Sequence, residues 1–345
     1  PAVFDLAVAG ALPDVLRLLQ EPPVRLFRDG TMTPDRLGRG EVAVTATINT
    51  RLARQEGMGD TQFQVTGHVA DFATQTLVEG RSLAAERLNI EVDPNRVTIS
   101  GPARFDGVPF NGRFTRSIGP DATGTAQLDG RVRVTRDRLA TLGGELPRWM
   151  MAGETEVALS LALAEGEAPV LTLSSDLAGA TLSLPQLGWG LAAASTGQFD
   201  AELRLGTAPE LTRIALEAGA LRLDGRAALR ADGGLERLDL DRLRLGGWLD
   251  VTGALIPRGA GRAPDLRITG GTVDLRGAPQ RDPGSVSSVG GSGPLSVRLD
   301  RLQVTEGIAL TGLSADLTTG AALSGEFRGT INGAAPILGT LVTTP

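Results

Sequence analysis

Arg242-Leu243-Arg244-Leu245-Gly246-Gly247-Trp248-Leu249-Asp250-Val251-Thr252-Gly253 is the stretch on which the fold turns. A basic residue and an aliphatic one open a short strand, a turn follows, and a second strand alternates apolar and polar residues up to a glycine. The same unit runs from Arg87-Leu88 to Val97-Thr98-Ile99-Ser100-Gly101 and from Arg213-Ile214 to Leu221-Arg222-Leu223-Asp224-Gly225. It returns from Arg301-Leu302 to Ile308-Ala309-Leu310-Thr311-Gly312. Period-two strands separated by turns at short, regular intervals are what an antiparallel sheet of repeated hairpins requires. The repeat predicts one long surface in place of a single catalytic pocket.

Composition agrees. The 345 residues include 46 Gly and 20 Pro but only 3% aromatics, so the chain is rich in turns and poor in the rings that fill compact cores. All of its 34 basic residues are Arg, which reads as a base-composition bias and not as a function. A net charge of -6 argues against nucleic acid, which demands a concentrated basic face. With no Cys there is no disulfide framework and no thiolate metal site. The chain starts at Pro1 with no signal-type segment, and reads as part of something longer whose anchor lies outside it. Residues 177–199 carry no charge, yet Gly179, Pro185, Gly188, Gly190 and Gly197 interrupt them. They read as two strands around a Pro185-Gln186-Leu187-Gly188 turn, not as a membrane helix.

Leu12, Val15, Leu16 and Leu19 place one apolar stripe on a short helix, which Pro22-Pro23 ends, and Thr33-Pro34 is a helix-start signature. Leu139 and Leu142 suggest a second short helix over 136–142, and Trp149-Met150-Met151 reads as packing at a helix that plugs the end of a sheet. Elsewhere strands dominate: Val42, Val44, Ala46 and Ile48; Leu88, Ile90 and Val92; Phe110, Gly112 and Phe114. Residues 277–294 are a linker or loop whose composition cannot bury a core. The reading divides the chain into a helix plus β-groove unit at 1–135, a second β-groove unit at 136–276, the loop at 277–294 and a C-terminal β-region at 295–345.

Catalysis finds little support. The one histidine, His68, sits in a strand pattern as an outward-facing residue, so no Ser-His-Asp set and no His-rich metal site is signalled. The 40 acidic residues mostly occupy the polar phase of strands or turns, as a solvated face does. Gly290-Gly291-Ser292-Gly293 does not have the lysine and strand-helix context of a phosphate loop. The expectation is a non-enzyme with no cofactor and no metal.

What remains is a persistently aliphatic sheet face. Its expected members are Val157, Leu159, Leu161, Leu163, Leu171, Leu173, Phe199, Leu203, Leu205, Leu221, Leu223, Leu249, Val251, Leu266 and Ile268. The residues alone leave two arrangements open: a closed sandwich, or a curled sheet whose aliphatic face lines a groove. A six-residue strand is about 20 Å long, and one leaflet of bilayer hydrocarbon is about 15 Å thick. A trough one strand wide therefore has room for acyl chains.

Several stretches resemble a known family. They are Gly10-Ala11-Leu12-Pro13-Asp14-Val15-Leu16 with Glu21-Pro22-Pro23-Val24, Gly101-Pro102-Ala103-Arg104-Phe105-Asp106-Gly107, and Leu142-Gly143-Gly144-Glu145-Leu146-Pro147-Arg148-Trp149. Leu177-Ala178-Gly179-Ala180-Thr181-Leu182 continues the series. In this order they resemble the central region of the YhdP-type branch of the AsmA-like proteins, with Leu295–Leu317 similar to the start of the AsmA-like C-terminal region and Gly325-Glu326-Phe327-Arg328-Gly329 continuing it. The resemblance implies a mainly β fold, an elongated, curled antiparallel sheet forming an open hydrophobic groove of the β-taco or half-barrel type with a few short helices. It also implies a periplasmic place in an envelope protein anchored in the inner membrane. The implied activity is non-enzymatic: shielding phospholipid acyl chains on the way from inner to outer membrane. The alternatives are an envelope scaffold or adhesin-like β-repeat protein without lipid, and a carbohydrate-active β-protein using a carboxylate pair.

Overall fold

The computed structural model describes residues 2–20, 37–50, 62–78, 80–119, 122–144, 146–259, 261–279, 292–320 and 323–342. Pro22-Pro23, Thr33-Pro34 and most of the 277–294 loop lie outside them. The protein is mainly β, with 65% strand against 5% helix, and its principal sheet of 19 strands does not close on itself. The chain divides into two compact units, residues 1–142 with 156–171 and residues 143–155 with 172–345.

The first unit opens with β1 (Ala2–Ala11), β2 (Arg39–Thr50), β3 (Gln62–Thr74), β4 (Leu83–Asp93), β5 (Arg96–Phe105), β6 (Val108–Ser117) and β7 (Ala126–Val134). Each is antiparallel to the one before it. Directly opposed residues share a face, so the registers draw an apolar row straight across the meander. It runs Val8, Val44, Gly67, Ile90, Ile99, Phe114, Leu128. Gly67 belongs there because a Cβ would lie 2.2 Å from the Ala43 carbonyl oxygen.

The apolar stripe of α1 (Leu12–Gln20) covers one end of this face, burying Leu12 and Val15 against Val42 and Val69. The second expected helix is α2 (Arg136–Thr141), started by Thr135, whose hydroxyl accepts the Arg138 N–H at 3.3 Å.

After it come β8 (Met151–Gly153), β9 (Thr155–Leu163), β10 (Val170–Ser175), β11 (Ala180–Leu184) and β12 (Trp189–Leu191). β8, β11 and β12 make a separate three-stranded sheet. The expected turn at 185–188 is a single 3-10 turn ended by Gly188 at φ +63, the left-handed conformation a tight C-cap requires. Met151 opens a strand here, so Trp149-Met150-Met151 leads into this small sheet and not into a helix.

The second unit's main sheet contains β13 (Gln198–Arg204), β14 (Glu210–Ala218), β15 (Leu221–Leu229), β16 (Leu235–Leu245), β17 (Leu249–Ile256) and β18 (Asp265–Asp274), an antiparallel run. β19 (Gly293–Gln303) then pairs parallel to β18, and β20 (Ala309–Thr319), β21 (Ser324–Ile331) and β22 (Ala335–Leu341) continue antiparallel. All four repeats are hairpins: β4–β5, β14–β15, β16–β17 and β19–β20.

Their glycines have a specific task. Gly225 and Gly253 sit at register shifts, and a Cβ at either would lie 2.3 Å from a carbonyl oxygen, of Asp239 and Arg267 respectively. Gly312 stands at the shift between β20 and β21. From β13 to β18 every successive pair carries such a shift, at neighbouring levels along the strands. A bulge bends its strand and increases the local twist, so aligned bulges crease this part of the sheet across its strands.

Candidate functional site

In the second unit the registers join three apolar rows. One runs Ala218, Leu221, Leu245, Leu249, Val273, Leu302, Leu310. Beside it runs Phe199, Leu216, Leu223, Leu243, Val251. Beyond the crease runs Leu211, Ala227, Leu238, Leu255, Leu266, Leu295, Leu317. The face therefore continues through the parallel β18–β19 junction, where Leu266 opposes Leu295 and Ile268 opposes Val297.

The rows differ in cover. The small sheet lies on the first, placing Leu177, Trp189 and Leu191 in one cluster with Leu221, Leu245, Leu249 and Val251. Trp189 donates its indole N–H to the Ala218 carbonyl at 3.2 Å. Leu221 is 0% exposed as a result. This cover comes from the charge-free stretch 177–199, which has no charged side chain to desolvate against an aliphatic face. In the row beyond the crease Ala227 is buried and Leu295 and Leu317 pack against the same cluster, whereas Leu211, Leu238, Leu255 and Leu266 are only half-buried, as Val273, Leu302 and Leu310 are in the first row.

The opposite face is ionic. Arg242 grips Asp250 through two bonds, Nε to Oδ1 at 3.0 Å and Nη2 to Oδ2 at 2.6 Å, and holds that carboxyl below its ordinary value. Arg237 does the same for Asp239, and Arg226 reaches Asp241 at 3.2 Å. Asp274 is lowered to about 2, first by the Arg276 side chain and then by its backbone N–H.

Of the residues singled out in the sequence, Phe199, Leu203, Leu221, Leu223, Leu249, Val251, Leu266 and Ile268 share this one face. Leu205 is half-buried one position past the end of β13. Val157, Leu159, Leu161, Leu163 and Leu171 fall in the first unit, Leu173 in the second. On β9 the polar phase faces β7's polar phase, through Arg131 to Glu156 at 3.0 Å and Gln127 to Ser160 at 3.2 Å. Val157, Leu159, Leu161 and Leu163 accordingly lie on the other side. Val157 is buried there, and the other three are half-buried.

The sequence reading left out the first unit's row and the partners on β14, β16 and β19–β21, although each carries the same alternation. Among the described residues no group of three or more His, Cys, Asp or Glu side chains is placed to hold a metal, and no helix is long and apolar enough to cross a membrane. Comparison with protein-family models, curated proteins and solved structures found no match to the chain.

Proposed function

We propose that this chain is a non-enzymatic lipid-binding segment whose aliphatic sheet face shelters phospholipid acyl chains in an open groove. The observation that carries the reading is the half-buried stretch Leu211, Leu238, Leu255, Leu266 across the crease from the covered row at Leu221. A closed sandwich would bury both alike. Each Å² of such surface taken from water is worth about 25 cal/mol, so an acyl chain laid along the row gains free energy with no fixed orientation. That suits cargo which has to move.

The bulged crease supplies the curl that a trough needs. The resemblance to AsmA-like proteins supports a setting: the periplasm, within an envelope protein held in the inner membrane by a segment outside this one, with lipid passing between inner and outer membranes. The competing reading, a structural β-scaffold, expects the same strands and no cargo.

Native mass spectrometry of protein purified from a bacterial envelope separates the two. Phospholipid should accompany the parent and be lost from Leu266→Asp, with the β circular dichroism spectrum retained. A parent free of lipid, or a folded variant that keeps it, would replace the groove with the scaffold.

A further inference from the structure

We propose that Arg116 is an oxyanion contact at the uncovered end of the first unit's aliphatic face, so that the ligand favoured there joins an acyl chain to an anionic head. The inference rests on the groove reading and narrows it. Arg116 stands opposite Val97 on one side and Ala126 on the other. Val97 in turn opposes Val92 and Val92 opposes Val65, so the guanidinium shares a row of aliphatic side chains.

Positions assigned to this face by the registers of β1 to β7 carry no other charged residue among the described ones. Arg116 is half-buried, and no ion pair or hydrogen bond joins it to any described residue. Several of the protein's arginines pair with carboxylates on the polar side, as Arg131 does with Glu156, whereas Arg116 stands in the aliphatic row. An unpaired charge beside apolar surface is unfavourable unless its head reaches water or a counter-ion.

The position is also at the correct end. α1 covers the far end of the face at Val42 and Val69, whereas Phe4 and Leu6, at the Arg116 end, remain 44% and 49% exposed. An extended chain lying on the row Val8 to Leu128 would end at β7, two residues along the strands from the Arg116–Ala126 pair, where the planar fork of guanidinium matches a carboxylate or a phosphate. A fatty-acid carboxylate and a phosphodiester share that chemistry.

The test uses the full chain and displacement of a fluorescent fatty-acid probe by dodecanoate, dodecyl phosphate, dodecanol and inorganic phosphate. The parent should bind the two anionic amphiphiles about tenfold more tightly than dodecanol, a preference that weakens with salt. Arg116→Gln should abolish the preference and leave dodecanol affinity unchanged, while Arg113→Gln on the opposite face should change neither. Relative affinity for dodecanoate and dodecyl phosphate identifies the preferred source of the oxyanion. Retention of the preference in Arg116→Gln, its loss in Arg113→Gln, or equally strong displacement by inorganic phosphate would overturn the assignment. Binding of all three amphiphiles without preference overturns it alone, whereas binding of none overturns the groove as well.

Discussion

The indole N–H of Trp189 meets the carbonyl oxygen of Ala218 at 3.2 Å, and this bond fastens the three-stranded sheet to the aliphatic face of the main one. Ala218 and its register partner Leu221 are 2% and 0% exposed beneath it. The same face, further along β14 and β16 to β18, is only half-covered at Leu211, Leu238, Leu255 and Leu266. One end of the second unit's aliphatic surface is thus a conventional core, and the other is the candidate binding surface.

Removing the cap's anchor should register as core damage. Trp189→Ala is expected to lower unfolding free energy by about 3–5 kcal/mol. Trp189→Phe retains most of the ring and gives up the bond to Ala218, for about 1 kcal/mol. Urea titration followed by circular dichroism measures both, and equal effects would show that the bond and the packing are not separable in this way.

The covered and open rows should respond differently to truncation. Leu221→Ala empties a sealed site and should cost about 2–5 kcal/mol. Leu238→Ala, in the half-buried row, should cost about 1 kcal/mol in lipid-free protein because less of its surface leaves water on folding. Comparable losses at the two positions would mean that the outer row is as well packed as the inner.

Glycines at the register shifts should differ in how replaceable they are, according to the space around them. At Gly253 an added Cβ meets the Arg267 carbonyl at 2.3 Å, whereas Gly312, at φ +56, has nothing within 4 Å. Gly253→Ala should therefore cost about 1–3 kcal/mol from overpacking, and Gly312→Ala about 1 kcal/mol from its left-handed backbone. Thermal unfolding of the two variants checks the order.

Acid should weaken the polar face. The Asp274 carboxyl is lowered to about 2 by Arg276, below its unfolded value. A depressed carboxylate stabilises the fold fully above that unfolded value, near 4, and the contribution disappears as pH falls through about 2. The stability difference between parent and Arg276→Gln should hold from pH 8 to 5 and shrink between about pH 4 and 2. A difference that stays constant down to pH 2 would detach Asp274 from this pair.

The hairpins were legible because their signals are local. Alternation places Leu221 and Leu223 on one side, and the glycine after each repeat marks where the next strand crowds the backbone. The continuous face was harder to read, because bulges change its phase. Leu238 and Leu240 point the same way as Leu243 and Leu245 although one pair is even-numbered and the other odd; the shift at Asp241-Arg242 reconciles them. Strict period two loses the face at that point. Nor does any local signal announce that β19 returns parallel to β18, or that residues 177–191 fold back over Leu221, since both depend on contacts far apart in sequence.

The central claim, that acyl chains lie on the aliphatic face beyond the crease, is tested most directly by photocrosslinking with a diazirine-bearing phospholipid and mapping the adducts by peptide mass spectrometry. The account predicts labels at Leu238, Leu255, Leu266 and Leu295, with Arg226, Asp241 and Arg267 on the polar face unlabelled. Labels concentrated on the polar face, or no adducts from protein that is folded and saturated with lipid, would contradict it.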